Sequence, residues 1–154
     1  MANIKWCKKQ KNGLTLISPN DNLSREYMKS AEETLLLLND LKDKSRMWLA
    51  TTKYYCEYFA VYSLFMKLGI KCEIHECTIS MGGILEKEGV LPNGTHDLLE
   101  NDKNLRIDNQ YYLKNKKVDL DYDSMLKFIL EMKNIMNKLT YEKINNIRKK
   151  IRAL

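Results

Sequence analysis

From Met47 to Ile79 the chain reads MWLATTKYYCEYFAVYSLFMKLGIKCEIHECTI, and wound as a helix this run is apolar on nearly every side. A helix that is greasy all round must be enclosed by other helices. The periodicity predicts a long helix from about Ser45 to Leu68. Trp48, Thr52, Tyr55, Phe59, Tyr62 and Met66 step by four and three, and Leu49, Cys56 and Ser63 form a second line beside them. Lys53, Glu57 and Lys67 leave a narrow polar edge, and the first two are spaced to pair one turn apart. Gly69 stands where a left-handed C-terminal cap belongs.

The flanking segments supply the enclosure. A first helix begins at a cap near Asn22 or Ser24 and carries Tyr27, Ala31, Thr34, Leu38 and Leu41 as its buried stripe, with a break around Asn39–Lys44. After Gly69 a short helix is expected from about Glu73 to Met81, with Gly82-Gly83 and the Gly89-to-Gly94 stretch as loops. Another helix runs from about His96 to Leu113. A last one opens near Asp121 or Asp123, with Tyr122, Met125, Ile129, Met132, Met136 and Leu139 in line. Thr140 is positioned to interrupt it, after which Ile144, Ile147 and Ile151 continue the apolar line. No segment alternates with period two over a useful length, so a sheet is not expected. The reading is an all-α, antiparallel up-and-down bundle of four to five helices. Residues 1–22 form an irregular N-terminal segment packed on it, in which Leu14–Ile17 extends along the bundle, and residues 23–154 form the helical domain.

Composition agrees. Two prolines and six glycines in 154 residues suit a helical chain. The net charge of +6, from 26 Lys+Arg against 20 Asp+Glu, favours a polyanionic partner without demanding one. The opening MANIKWCKK lacks the apolar core of a signal peptide, and no apolar run approaches a membrane span. Cys7, Cys56, Cys72 and Cys77 form no CxxC pair, so reduced thiols in a cytoplasmic protein are the expectation.

Three segments then resemble one family in order and spacing. They are Tyr54-Tyr55, Tyr58-Phe59 and Lys67–Ile70 followed by His75; Arg106-Ile-Asp-Asn-Gln-Tyr-Tyr112 leading to Val118–Tyr122; and the opening Trp6–Lys9 with Pro19-Asn20. Together they resemble the HEPN domain (higher eukaryotes and prokaryotes nucleotide-binding), and within it a subgroup of small uncharacterised prokaryotic proteins. The resemblance spans most of residues 5–140. It implies a helical bundle, often a homodimer, encoded beside a minimal nucleotidyltransferase as toxin and antitoxin, with nucleotide or RNA as ligand. Many active members are metal-independent endoribonucleases in which an arginine steadies phosphate and a histidine four to six residues on transfers protons.

This chain departs from that motif. After Arg106 the histidine position holds Tyr111 or Tyr112. A phenol, with a pKa near 10, leaves only about one hydroxyl in a thousand ionised at neutral pH. Proton transfer is worth roughly 10²–10⁴ in rate, so its loss leaves weak cleavage or none. The expectation is therefore a non-catalytic or weakly active interaction module. An endoribonuclease using Arg106 with His75 or Tyr111 is the alternative, and a structural dimeric bundle without a nucleic-acid role is a third. Asp108 could orient a bound group. Lys8 and Lys9 from the Lys5–Lys11 cluster, and Arg148 and Lys149 from the Arg148–Arg152 cluster, would contact RNA if the clusters meet, with Trp6 available to stack on a base.

Each candidate also has a structural use. Arg106 could pair with Asp102 one turn earlier. Tyr111 and Tyr112 could pack with their hydroxyls at the edge. His75 could be a buried, hydrogen-bonded ring, and His96 resembles a helix N-terminal residue. Cys72, His75 and Cys77 lack a paired knuckle and a fourth ligand, so no metal is expected there. Gly82-Gly83 has no phosphate-loop pattern around it, and no cofactor is expected.

Overall fold

The computed structural model describes residues 2–154. Its elements are α1 (Ile4–Lys9), β1 (Thr15–Leu16), α2 (Asp21–Leu41), α3 (Arg46–Leu68), β2 (Ile70–Lys71), α4 (His75–Lys87), α5 (Thr95–Gln110), α6 (Tyr122–Lys138) and α7 (Tyr141–Ala153). The chain is all-α apart from one two-stranded antiparallel pairing, Thr15 with Lys71 and Leu16 with Ile70. None of its helices is long and apolar enough to cross a membrane among the described residues.

α3 is the centre, packed against α2, α5, α6 and α7. Tyr54, Cys56, Ala60, Val61, Leu64, Phe65 and Leu68 are all buried. Burying a side chain of Leu or Phe size stabilises by about 1.5–3 kcal/mol, so this one helix carries much of the hydrophobic driving force. Ser45 accepts from the Trp48 N–H at 3.2 Å and starts it, and Gly69, at φ 71°, ends it in the left-handed region. Trp48, expected in the buried stripe, is instead 51% exposed. Leu49 and Ala50 beside it are buried, so the first turn of α3 turns Trp48 to solvent and its neighbours to the core.

α2 runs antiparallel to α3. Ser24 lies opposite Ser63, and Ala31 lies opposite Cys56. The two serines bond reciprocally: Ser63 Oγ donates to the Ser24 carbonyl at 2.6 Å, and Ser24 Oγ donates to the Ser63 carbonyl at 2.8 Å. Small hydroxyl side chains that satisfy each other let two helices approach closely without stranding a polar group. Asn20 accepts from Leu23 N–H and starts α2 slightly before the expected Asn22 or Ser24. The deepest line is Met28, Ala31, Leu35 and Leu38; Tyr27 and Thr34 flank it.

Three expectations for the segments around this core are corrected. Residues 1–22 are not irregular throughout: Asn3 Oδ1 accepts from Trp6 N–H at 2.8 Å and starts α1. α1 is fastened to α4 by a disulfide between Cys7 and Cys77, whose Cα atoms are 5.7 Å apart. The four cysteines are therefore not all reduced. Cys56 and Cys72 remain as buried thiols, both pushed up to about 12 by burial. Finally, α4 runs straight through Gly82-Gly83. The His96 ring of α5 lies on Gly83, where a Cβ would sit 2.9 Å from His96 Cδ2. The glycine serves a close helix crossing, and no loop forms.

The remaining boundaries follow local capping. Glu86 accepts from the N–H groups of Gly94 at 2.7 Å and His96 at 2.8 Å, holding the entry to α5. α5 stops at Gln110, short of Leu113. Asp121 caps α6 through Ser124 N–H, and Thr140 does separate α6 from α7 by capping the latter through Lys143 N–H.

Candidate functional site

Sequence periodicity puts Tyr54, Tyr55 and Tyr58 on one side of α3, and the structure packs α5 and the start of α4 against that side. Arg106 of α5 enters between the rings. Its guanidinium carbon lies 5.1 Å from the Tyr54 ring centre, 5.4 Å from Tyr55 and 5.8 Å from Tyr111. Nη1 donates to Tyr55 Oη at 3.0 Å. Cation–ring contacts are worth about 0.5–1 kcal/mol when exposed and about 2 or more when desolvated. Arg106 is only 8% exposed, and its Nε is buried without a partner.

The expected Asp102–Arg106 pair is absent. Asp102 instead takes a short ion pair from Lys53 across the α3–α5 interface, which frees Arg106 for the tyrosines. Lys53 Nζ also lies 3.4 Å from Glu57 Oε1, the pairing expected one turn along α3. These residues are not a wet edge, because α5 covers them. Glu57 is fully buried, and neither of its oxygens is hydrogen-bonded. Burial and the neighbouring Asp102 push its carboxyl well above the ordinary range, against the pull of Lys53. Burial opposes the charge on Lys53, yet Glu57 and Asp102 hold its ammonium above its ordinary value.

His75 opens α4 beside this cluster. Its Nδ1 hydrogen-bonds Tyr54 Oη at 2.7 Å, and its ring stacks on Tyr58 with centres 4.5 Å apart. Burial, then the positive charges of Arg106 and Lys103, lower its pKa, so the imidazole is neutral at neutral pH. Burial also pushes the Tyr58 hydroxyl up to about 12 and the Tyr54 hydroxyl higher still. Lys103, 5% exposed, pairs with Glu76 and with Glu100, the latter at 3.2 Å. Sequence reasoning did not single out Lys103; its only signal was Glu100, three residues earlier on the same helix.

Arg106 and His75 are thus brought together through the shared rings of Tyr54 and Tyr55, and Tyr111 meets this cluster through Arg106. The other candidates lie elsewhere. Asp108 accepts from Lys114 Nζ at 2.9 Å and Lys116 Nζ at 2.5 Å, and the hydrogen bonds from Lys116 and then Lys114 hold its carboxyl below the ordinary value. Tyr111 and Tyr112, for which edge packing was an open reading, are 63% and 68% exposed.

Lys8 and Lys9 are exposed in the last turn of α1, and Trp6 is 45% exposed there. Lys149 is exposed on α7, and the half-buried Arg148 is engaged with the protein through one guanidinium nitrogen. Its Nη1 donates to the carbonyls of Ile17 at 2.8 Å, Leu68 at 2.8 Å and Gly69 at 3.1 Å. Cys77 is committed to its disulfide, so Cys72, His75 and Cys77 cannot act as a ligand set, and His96 lies on Gly83 at the start of α5.

The arrangement can hold a cation inside an aromatic cage and keep a neutral imidazole beside it. Comparison with family models, with curated proteins and with solved structures returns no match.

Proposed function

We propose that this chain is a HEPN-like interaction module that binds nucleotide or RNA and does not cleave it. The observation that carries this reading is the enclosure of Arg106. An arginine that steadies a scissile phosphate has to be presented to it, whereas this one is 8% exposed, ringed by Tyr54, Tyr55 and Tyr111, and bonded to Tyr55 Oη. The resemblance supplies the proposed setting: a homodimer paired with a minimal nucleotidyltransferase in a toxin–antitoxin-like system. The test is prolonged incubation of purified protein with labelled RNA in the presence of a chelator. Intact RNA is expected, with Arg106→Ala losing stability by about 2–4 kcal/mol, because a charged hydrogen bond and desolvated cation–ring contacts disappear together. Cleavage abolished by Arg106→Ala in a folded variant would sink the reading.

One observation favours a second reading, a metal-independent endoribonuclease using Arg106 with His75 or Tyr111: Arg106 and His75 share the rings of Tyr54 and Tyr55, Tyr111 lies against the Arg106 guanidinium, and burial and nearby positive charge lower the His75 pKa and favour its neutral form. This reading requires a 2′,3′-cyclic phosphate product and loss of cleavage in both Arg106→Ala and His75→Ala.

A further inference from the structure

After α5 the chain turns back in a short loop, residues 111–116, that is held by its own base. Asn109, 1% exposed, grips Lys116 through both ends of its amide: Nδ2 donates to the Lys116 carbonyl at 3.0 Å, and Oδ1 accepts from Lys116 N–H at 2.7 Å. The Asp108 carbonyl accepts from Lys114 N–H at 3.0 Å, and its carboxylate holds both lysine side chains.

The loop so fastened sends Tyr111, Tyr112 and Leu113 outward, at 63%, 68% and 72% exposure. Three consecutive large apolar side chains in water gain nothing for the fold. Leu113 also takes φ 51°, a left-handed conformation that a branched side chain resists. Strain of this kind persists where the surroundings over-determine it, as the Asn109 and Asp108 contacts do here.

The surroundings indicate what such a loop would meet. Tyr111 has the Arg106 guanidinium over its ring, and Tyr112 has Lys114 Nζ at 5.5 Å. Asn115 and Lys117 lead into a cleft of about 900 Å³ whose other wall is the turn between α2 and α3 and the first residues of α3. Arg46 ties the two walls by donating to the Asn115 carbonyl at 2.9 Å. Around loop and cleft, Lys42, Lys44, Arg46, Lys114, Lys116 and Lys117 outnumber Asp43, Asp108 and Asp119. Excess positive charge selects a polyanion, and solvent-facing rings beside it select planar groups that can stack.

We propose that the 111–116 loop and the adjoining cleft dock single-stranded nucleic acid, with unpaired bases on Tyr111 and Tyr112 and phosphates along Lys42, Lys44 and Arg46, since Lys114 and Lys116 are paired with Asp108 and Lys117 with Asp119. A duplex hides its base faces and fits such a protruding loop poorly. The inference rests on the nucleic-acid arm of the function proposed above and deepens it by naming the surface and the strandedness.

The test is fluorescence anisotropy with labelled oligouridylate, oligothymidylate and a duplex of equal length, across a salt series. The full chain should bind the single strands, prefer them to the duplex and weaken steeply with salt. Tyr112→Ala should weaken single-strand binding about fivefold or more, the loss expected when one base loses its aromatic stacking partner. Tyr112→Phe should bind like the parent, because the ring and not the hydroxyl does the stacking. Lys44→Gln should flatten the salt slope. Circular dichroism confirms that each variant is folded.

If the parent binds single strands and Tyr112→Ala binds equally well, the loop is not the site and the proposal falls while the nucleic-acid reading stands. If the parent binds no nucleic acid even at low salt, both fall. Equal affinity for duplex, or a Tyr112→Ala effect confined to self-association in sedimentation, also overturns the proposal.

Discussion

Arg148 and Gly69 interlock at the end of the central helix. Arg148 Nη1 donates to the Gly69 carbonyl at 3.1 Å and stands 2.2 Å from where a Cβ on residue 69 would lie. One guanidinium therefore joins α7, the end of α3 and the Ile17 carbonyl, satisfying carbonyls that the helix terminus leaves open. Arg148→Ala is expected to cost about 2–3 kcal/mol in urea unfolding, the range for a hydrogen bond to a charged group whose partners are left unmet. Gly69→Ala should cost at least as much, since it adds a clash to a strained φ of 71°.

Glu57 makes stability depend on pH in an unusual sense. Its folded carboxyl holds its proton to a pH above the 4.5 at which the unfolded chain releases it. The stability it contributes is complete below about 4.5 and is lost as pH rises through the folded value. Glu57→Gln removes the ionisation and should raise stability near pH 7 relative to the parent. The gap between variant and parent should close toward pH 4. Melting curves at several pH values read this directly, and a gap that widens on acidification would contradict it.

His75 pulls the other way. Its folded pKa lies below 6.5, so its contribution is present above that value and lost as pH falls through the folded value. His75→Phe keeps a ring on Tyr58 and should flatten the fall in melting temperature on the acid side. With only His75 and His96 in the chain, the imidazole signals can be assigned by comparison with His96→Gln. A His75 signal titrating at or above 6.5 would count against the buried, positively flanked environment described above.

The Cys7–Cys77 bond closes a sequence separation of 70 residues. Disulfides closing long loops typically stabilise by about 2–4 kcal/mol. Cys7→Ser, or reduction, should lower stability by that amount while leaving α2 through α7 helical by circular dichroism. Before unfolding, a thiol reagent should label neither Cys56 nor Cys72, since both are buried and pushed up to about 12. After unfolding without reductant two thiols should react, and four would contradict the pairing.

Much of this was legible in the residues. α2, α3, α6 and α7 follow apolar steps of three and four, and Ser45, Gly69, Asp121 and Thr140 mark boundaries by capping chemistry that is local. What was illegible depended on a partner from elsewhere in the chain. Asp102 stands one turn from Arg106, so their pairing was the natural inference, but Lys53 on α3 takes Asp102 and the tyrosines take Arg106. Arg148 looked like part of a basic patch until the carbonyls beneath it came into view. α1 has too few residues to show periodicity, and its place is set by Cys77, far away in sequence. Arg106 and His75 do meet, yet the rings that join them, Tyr54 and Tyr55, are legible in sequence only as residues of the central helix and of the family resemblance.

The contact between Gly83 and His96 has a consequence for variation. A side chain at position 83 would collide with the imidazole, because its Cβ would lie 2.9 Å from His96 Cδ2, whereas a Cβ at Gly82 would meet only Leu91 and Leu99 at an ordinary 3.9 Å. Position 82 is therefore open to alanine, while 83 and 96 are a coupled pair. In any lineage of such chains, a bulkier residue at 83 should be accompanied by a smaller one at 96, and the two substitutions made together should be tolerated better than the first alone.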